Sequence, residues 1–403
     1  MKSQQLVLSF SIVILTIFSI TMLLSQPKNI LAAENSCISY NSIENEISIA
    51  CQHAEFIDIK NSLQDQSILQ RESSNFNEKN WILNAGISVE KNATLNIESD
   101  DVTWLKIVPS ENTPNPIKVD GSLKVDSIKI TSWNPQTNDY VYFSDAVKYD
   151  ELQYTKELRP YIKVNSGATG PTIIQNSELA YLGYKCSGCG GLTFHGGEFS
   201  MLINNDIHHI YKGFYSKGMG YMLIEGNRVY NNDKYGIDPH TGTHHMLILN
   251  NTVHDNGSSG IICSLDCYKI LIEGNEIYNN GEMGPGRGIA FSINMYDSVA
   301  RNNYVHHQNK CIGVSGGSHD NVVHNNIVTD CEVGIYTSQQ SSNNNIYQNT
   351  VMNTINGIVV KTGASDNTFH SNEIVNATEF GILNVKDPGT VGNTFENNKM
   401  NVQ

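Results

Sequence analysis

A glycine followed by an apolar residue returns nine times in the second half of this chain. It stands at Gly191-Leu192, Gly213-Phe214, Gly236-Ile237, Gly260-Ile261, Gly288-Ile289, Gly313-Val314, Gly334-Ile335, Gly357-Ile358 and Gly381-Ile382, with spacings of 22, 23, 24, 28, 25, 21, 23 and 24 residues. Asparagine keeps step at Asn205, Asn227, Asn251, Asn275, Asn303, Asn326, Asn349 and Asn372. Self-similarity at this period, with short β-rich runs and no helical signal, predicts an all-β parallel β-helix. One coil cannot bury its apolar side alone, so coils stack and each strand pairs with its equivalents above and below. A leucine-rich horseshoe would show Leu at several fixed positions per repeat, and a propeller would need about double the period. The apolar residue after each Gly is expected in the core. The asparagines are expected at bends, in the left-handed region, bonded to the next coil's backbone.

Upstream, Cys37 and Cys51 bracket a short hairpin, and residues 54–71 place Phe56, Ile59, Leu63 and Ile68 near helical spacing, which predicts a capping helix. Strand patterns begin at Trp81, and residues 134–160 read as an inserted surface loop. The expected organisation is a signal segment over 1–33, a hairpin and capping helix over 34–80, and the β-helix over 81–403. The signal rests on Lys2, an apolar run from Leu6 to Leu24, and Leu31-Ala32-Ala33, with cleavage expected after Ala33. Left uncleaved, that run is long enough to span a bilayer, the one route to a membrane in this chain. Residues 1–33 hold Lys2 and Lys28 and no acid, so their removal takes the formal charge from -14 to -16. Such a field repels nucleic acid, and any anionic ligand needs a local basic patch. All eight cysteines lie in the exported part. Proximity suggests Cys37–Cys51, Cys186–Cys189, Cys263–Cys267 and Cys311–Cys331, although sequence alone leaves other pairings open. Cys186-Ser-Gly-Cys189 lacks the second pair that a zinc ribbon requires.

Strand alternation gives this repeat a chemical face. If Ile237 points inward, Asp238 and His240 point outward together. Two places after the Gly stand Thr193, Tyr215, Asp238, Ile262 and Ala290; four places after it stand His195, Lys217, His240, Ser264 and Ser292. Lys212, Tyr235, Ser259 and Arg287 stand just before it. Coils lie ~4.8 Å apart, so Tyr215 and Lys217 should meet Asp238 and His240. The patch combines phenols, imidazoles and cations on an acidic protein. Taken alone, Asp-Pro-His is as readily a turn; the shared groove is what favours chemistry. Asn92, Asn250, Asn256 and Asn376 occupy glycosylation sequons, which imply surface exposure.

Tyr235-Gly236-Ile237-Asp238-Pro239-His240 in a β-helix coil resembles the signature of the mannuronan C5-epimerases, which convert mannuronate to guluronate within alginate. The likeness is strongest over residues 175–340, through SELAYLGY, IYKGFYS, YGIDPHTGTH, DNGSSGIICS and SVARNN, and is nearest to the periplasmic bacterial type. It implies a right-handed parallel β-helix, an anionic polyuronate substrate, and catalytic Tyr235, Asp238 and His240. Tyr215, Lys217, Arg287, His195, Ser264 and His244 are the expected substrate-binding residues. Two positions depart from the family. Ser264 stands where calcium-dependent members carry an Asp, and Thr241-Gly242-Thr243 replace the Asp-Arg-Ser that follows the motif in the periplasmic type.

The implied reaction removes the proton at C5, alpha to a carboxylate whose charge must first be offset. Lys217 and Arg287 are expected to do so, with Asp238 sharing a proton. His240 and Tyr235 would divide the base and acid roles. Five extended residues cover ~16 Å, so Tyr235 must sit on a bend; otherwise Tyr215 is the better phenol. No redox cofactor or metal is required; the sequence leaves a structural calcium open without indicating one. Loss of O4 before reprotonation would make the same site a β-eliminating lyase, and a non-catalytic carbohydrate-binding β-helix is the third reading.

Overall fold

The computed structural model describes residues 37–72, 79–110, 113–142, 158–282 and 286–402. The expected signal segment and the centre of the 134–160 loop lie outside these residues. Strands stack in parallel ladders. One ladder of 13 strands runs from Ala54–Glu55 to Thr394–Glu396 with one strand per coil, and a 26-stranded sheet forms the rest of the wall. The long strands Tyr304–Ser315 and Ile327–Thr337 turn a corner within that sheet. At the N-terminal end Ile38–Asn41 pairs antiparallel with Glu46–Ile49, which passes the parallel register on to Gly86–Val89. The helix is shorter than its periodicity predicts. It covers Phe56–Ser62, buries Phe56 and Ile59, and ends at an extended Leu63. An Asp65 side chain that accepts from the Ser67 backbone N–H then turns the chain into the strand Leu69–Arg71. No helix among the described residues is long and apolar enough to cross a membrane.

Inside the sheet facing the candidate groove, Phe214, Ile237, Ile261, Ile289, Ile312, Ile335 and Ile358 form a fully buried column. The glycine before such a residue is required by proximity to the next coil. A Cβ on Gly236 would lie 2.7 Å from the Gly260 carbonyl oxygen, and one on Gly213 2.5 Å from that of Gly236. One coil breaks the pattern read from the sequence. Ile289 pairs with Ile312 and Ala290 with Gly313, so Gly313 faces outward and Cys311 occupies the glycine position.

The asparagine column is continuous and buried. Each member's backbone N–H donates to the next member's Oδ1, as Asn227 does to Asn251 at 2.9 Å and Asn251 to Asn275 at 2.9 Å. The side-chain amide also donates, from Asn275 Nδ2 to the Ile248 carbonyl at 2.9 Å and to Asn303 Oδ1 at 3.0 Å. Parallel columns join Asn232, Asn256 and Asn280, and Asn321, Asn344, Asn367 and Asn393. The left-handed backbone belongs to the residue before each ladder member, not to the member itself: Asn204, Gly226, Asn250, Gly274, Asn302 and Asn325 have positive φ. The ladder member itself has no positive φ, and its amide reaches both neighbouring coils. Asn256 is fully buried in this way, which removes it as a glycosylation site.

Disulfides join Cys37–Cys51, Cys186–Cys189 and Cys311–Cys331. Cys263 and Cys267 are free and buried, contrary to the proximity pairing. Cys263 occupies an inward position of the strand Ile261–Ser264, and Cys267 turns its thiol to the Ser264 carbonyl at 3.1 Å. Because buried polar groups left without partners cost about 1–3 kcal/mol each, Asn275→Ala should destabilise the fold by at least that amount. A denaturant midpoint equal to that of the unmodified protein would refute the ladder's structural role.

Candidate functional site

The strand Lys212–Lys217 lies beside Ile237–His240, with Tyr215 opposite Asp238, Ser216 opposite Pro239 and Lys217 opposite His240. On the other side His240 faces Ser264. Asp238 and His240 thus share one outer face, set two residues apart by strand alternation. Asp238 is only 1% exposed, and among the described residues its Oδ1 has no hydrogen-bond partner. Lys212 Nζ lies 3.4 Å from Asp238 Oδ2. The same ammonium sits 4.0 Å from the Tyr215 ring centre and 5.6 Å from that of Tyr235. The Tyr215 ring lies 5.4 Å from the His240 imidazole and 6.3 Å from that of His195. Tyr235, Lys212, Tyr215 and His240 therefore form a continuous arc over the buried carboxyl.

Desolvation dominates the electrostatics. Burial pushes the Asp238 carboxyl up to about 7, and the Lys212 ammonium opposes this without overcoming it. A 3.4 Å ion pair seated this deep costs more hydration than its attraction returns. Burial, followed by the charges of Lys212 and Lys217, holds the His240 imidazole below its ordinary value. Burial raises both phenols, aided by the Asp238 charge; near Tyr235 the Arg287 charge works the other way. At neutral pH the site holds a neutral imidazole, two protonated phenols and a carboxyl that can carry or lack a proton. His240 Nδ1 and Thr241 Oγ1 share a 2.6 Å hydrogen bond, which leaves Nε2 for proton transfer.

The structure brings together Tyr235, Asp238, His240, Tyr215, Lys217 and His195. The cation beside Asp238 is Lys212; Lys217, one of the two cations expected to offset the substrate carboxylate, is exposed beside His240. Lys212 was legible as the residue in Tyr235's column one coil earlier, and Thr241 as the polar neighbour of His240. Arg287 pairs with Lys310 further along the groove. Ser264 is buried under the His240 edge. His244 is carried away from the cluster. Positive φ at Thr241 and Gly242 turns the chain, and His244 enters another ladder between Gly220 and Tyr268, its ring 5.0 Å from that of Tyr268. Among the described residues no group of three or more His, Cys, Asp or Glu is placed to hold a metal ion.

A family model for the right-handed β-helix region matches residues 159–285 and 262–400, more than half of the chain. The chain is similar to the mannuronan C5-epimerase of Pseudomonas fluorescens, 27% identical over 137 residues, 31% of this chain and 24% of that protein. It is similar to the enzyme of the same name from Pseudomonas aeruginosa, 27% identical over 170 residues, 39% of this chain and 29% of that protein. The match thus spans under a third of the length of these relatives. Among solved structures, a periplasmic alginate epimerase superposes with a TM-score of 0.75 at 18% identity, over 88% of this chain and 85% of that one. The A-module of an Azotobacter vinelandii mannuronan C-5 epimerase superposes with a TM-score of 0.59 at 15% identity, over 78% and 88%. These superpositions establish the right-handed coil.

The raised Asp238 carboxyl has a consequence for stability. The folded protein holds that proton more tightly than the unfolded chain does. Wild-type stability should therefore fall as pH rises from the ordinary 3.8 to about 7, then level off. Asp238→Asn lacks this loss. Each tenfold difference in proton affinity between the folded and unfolded chains is worth about 1.4 kcal/mol. The advantage of Asp238→Asn in unfolding free energy should therefore grow toward an upper bound of about 4 kcal/mol by about pH 7. A melting-temperature difference that stays flat from about pH 4 to 8 would show that the carboxyl titrates normally.

Proposed function

We propose that this chain, which belongs to the right-handed β-helix family, is an exported uronate C5-epimerase acting on mannuronate residues within an alginate-type polymer. The observation that carries the reading is the buried Asp238 carboxyl, its Oδ1 without a partner among the described residues and its Oδ2 beside Lys212, flanked by the His240 imidazole and two phenols. The curated relatives named mannuronan C5-epimerase support it.

In this reading the substrate carboxylate lies over Asp238 and Lys212. Protonated Asp238 donates from its unpartnered oxygen, and the ammonium offsets the remaining charge. Both lower the cost of developing negative charge when C5 loses its proton. His240 Nε2 removes that proton, because burial and two cations keep the imidazole neutral. Inversion needs a donor on the other face of the sugar. Tyr215 adjoins His240, whereas Tyr235 stands on the far side of Lys212. We therefore assign the return of the proton to Tyr235, whose burial keeps its hydroxyl protonated. Tyr215 then forms the wall beside the base. The chemistry is proton transfer throughout and calls for no redox cofactor or metal.

The test is incubation with polymannuronate in deuterated water, read by NMR. Deuterium at C5 with guluronate formed is expected, and His240→Ala should lower the rate by about 10²–10⁴-fold. Unsaturated chain ends would assign a lyase, and the absence of exchange would overturn the enzymatic reading. The acid limb of kcat/KM should lie below the ordinary imidazole value of 6.5. Lys217→Gln removes one of the charges that hold it there, so the limb should move to higher pH. An unmoved limb would remove Lys217 from the field at His240.

A further inference from the structure

The outward column that carries Asp238 continues through Ile262, Ala290 and Gly313 to Tyr336. Four coils at ~4.8 Å separate Asp238 from Tyr336 by ~19 Å. The three positions between them are uncharged. From the coils of Ala290 and Gly313 onward the surface opens into a cavity of about 240 Å³ lined by Arg287, Lys310, Ser315, Tyr336, Gln339 and Lys361, among others. Three cations meet there, and among the described residues no carboxylate lines the cavity, on a chain of net charge -14. Lys310 stands directly beside Arg287 in the ladder and 5.5 Å from the Tyr336 ring centre. Burial and then the Lys361 and Arg287 charges lower the Lys310 ammonium, with partial relief from Glu332, so the cations face one another largely uncompensated.

The floor of the cavity is polar and unsatisfied. Tyr336 is 5% exposed and Ser315 2% exposed. Among the described residues neither hydroxyl has a partner that meets hydrogen-bond geometry, although the two lie close to one another. Buried hydroxyls are seldom left this way unless a ligand or water completes them. Gly313 makes the arrangement fit. A Cβ there would lie 2.2 Å from the Tyr336 ring, so the outward glycine is what lets the phenol lie back along the groove toward Arg287. Three cations around a cavity with hydroxyls at its base suit a carboxylate rather than an apolar ligand.

We propose that this cavity is a second carboxylate subsite, which holds a uronate several sugars away from the residue over Asp238 and thereby sets a minimum chain length for tight binding. The inference rests on the reading of the groove as a polyuronate site, but its test does not depend on turnover. Saturated oligomannuronates of increasing length are titrated calorimetrically against the full chain and against the Lys310→Gln/Lys361→Gln variant, with Lys91→Gln/Lys399→Gln, two exposed lysines elsewhere, as a control for net charge. Oligomers long enough to span ~19 Å should bind the double variant about ten-fold or more weakly. Shorter ones should bind both proteins alike, and Lys91→Gln/Lys399→Gln should match wild type. With polymer as substrate, KM should rise in the double variant while kcat holds. Equal affinity of the long oligomers for both proteins would overturn the subsite, and so would equal weakening of short and long ones. If wild type shows length-dependent binding that the double variant loses, yet no epimerisation, the subsite stands and the catalytic reading falls.

Discussion

Coil-to-coil hydrogen bonding sets every other dimension of this molecule. Backbone ladders fix the rise between coils, and the buried asparagines carry the same register through the bends, where strand pairing lapses. An amide can do this because it presents a donor and an acceptor in one plane, so each Asn satisfies the coil on either side. The apolar column inside and the chemical column outside are consequences of that register. Side chains remote in sequence, such as Lys212, Asp238 and Arg287, are brought into a row whose pitch is that of the backbone.

Placing a carboxyl on such a wall would ordinarily leave it ionised in water. Here the neighbours remove the water. Tyr215 and Tyr235 cover Asp238, and the Lys212 ammonium, 3.4 Å away, offsets only part of the lost hydration. The same desolvation acts in opposite directions on acids and bases. It raises Asp238 and the phenols and lowers His240, and so prepares a proton donor and a proton acceptor in one cluster. A single physical cause accounts for the protonation states that the proposed chemistry needs.

The places where sequence reasoning went astray share a cause. Gly313 repeats the glycine-apolar pair but stands one residue out of register, because it serves the Tyr336 ring and not the coil contact. Cys263 and Cys267 are close in sequence, but one points inward from a strand and the other from the following turn. Four of the left-handed predecessors, Asn204, Asn250, Asn302 and Asn325, are asparagines like the ladder members, and only the hydrogen-bond geometry separates the two. Helical spacing over 54–71 ends early, since the antiparallel pairing of Leu69–Arg71 with Asn80–Leu83 competes for the same residues.

Periodicity by itself determined the parallel β-helix, the inward apolar column and the outward set Tyr215, Asp238, Lys217 and His240. These follow from a repeat length and from side-chain alternation, which are properties of the chain read locally. Tertiary structure alone decided that Lys212 meets Asp238, that His244 leaves the groove, that Tyr235 stands across Lys212 from Tyr215, and that Arg287, Lys310 and Lys361 enclose a separate cavity. Those outcomes depend on rotamers, bends and burial. Each is set by what the adjacent coils place over a side chain, and linear spacing carries no record of that.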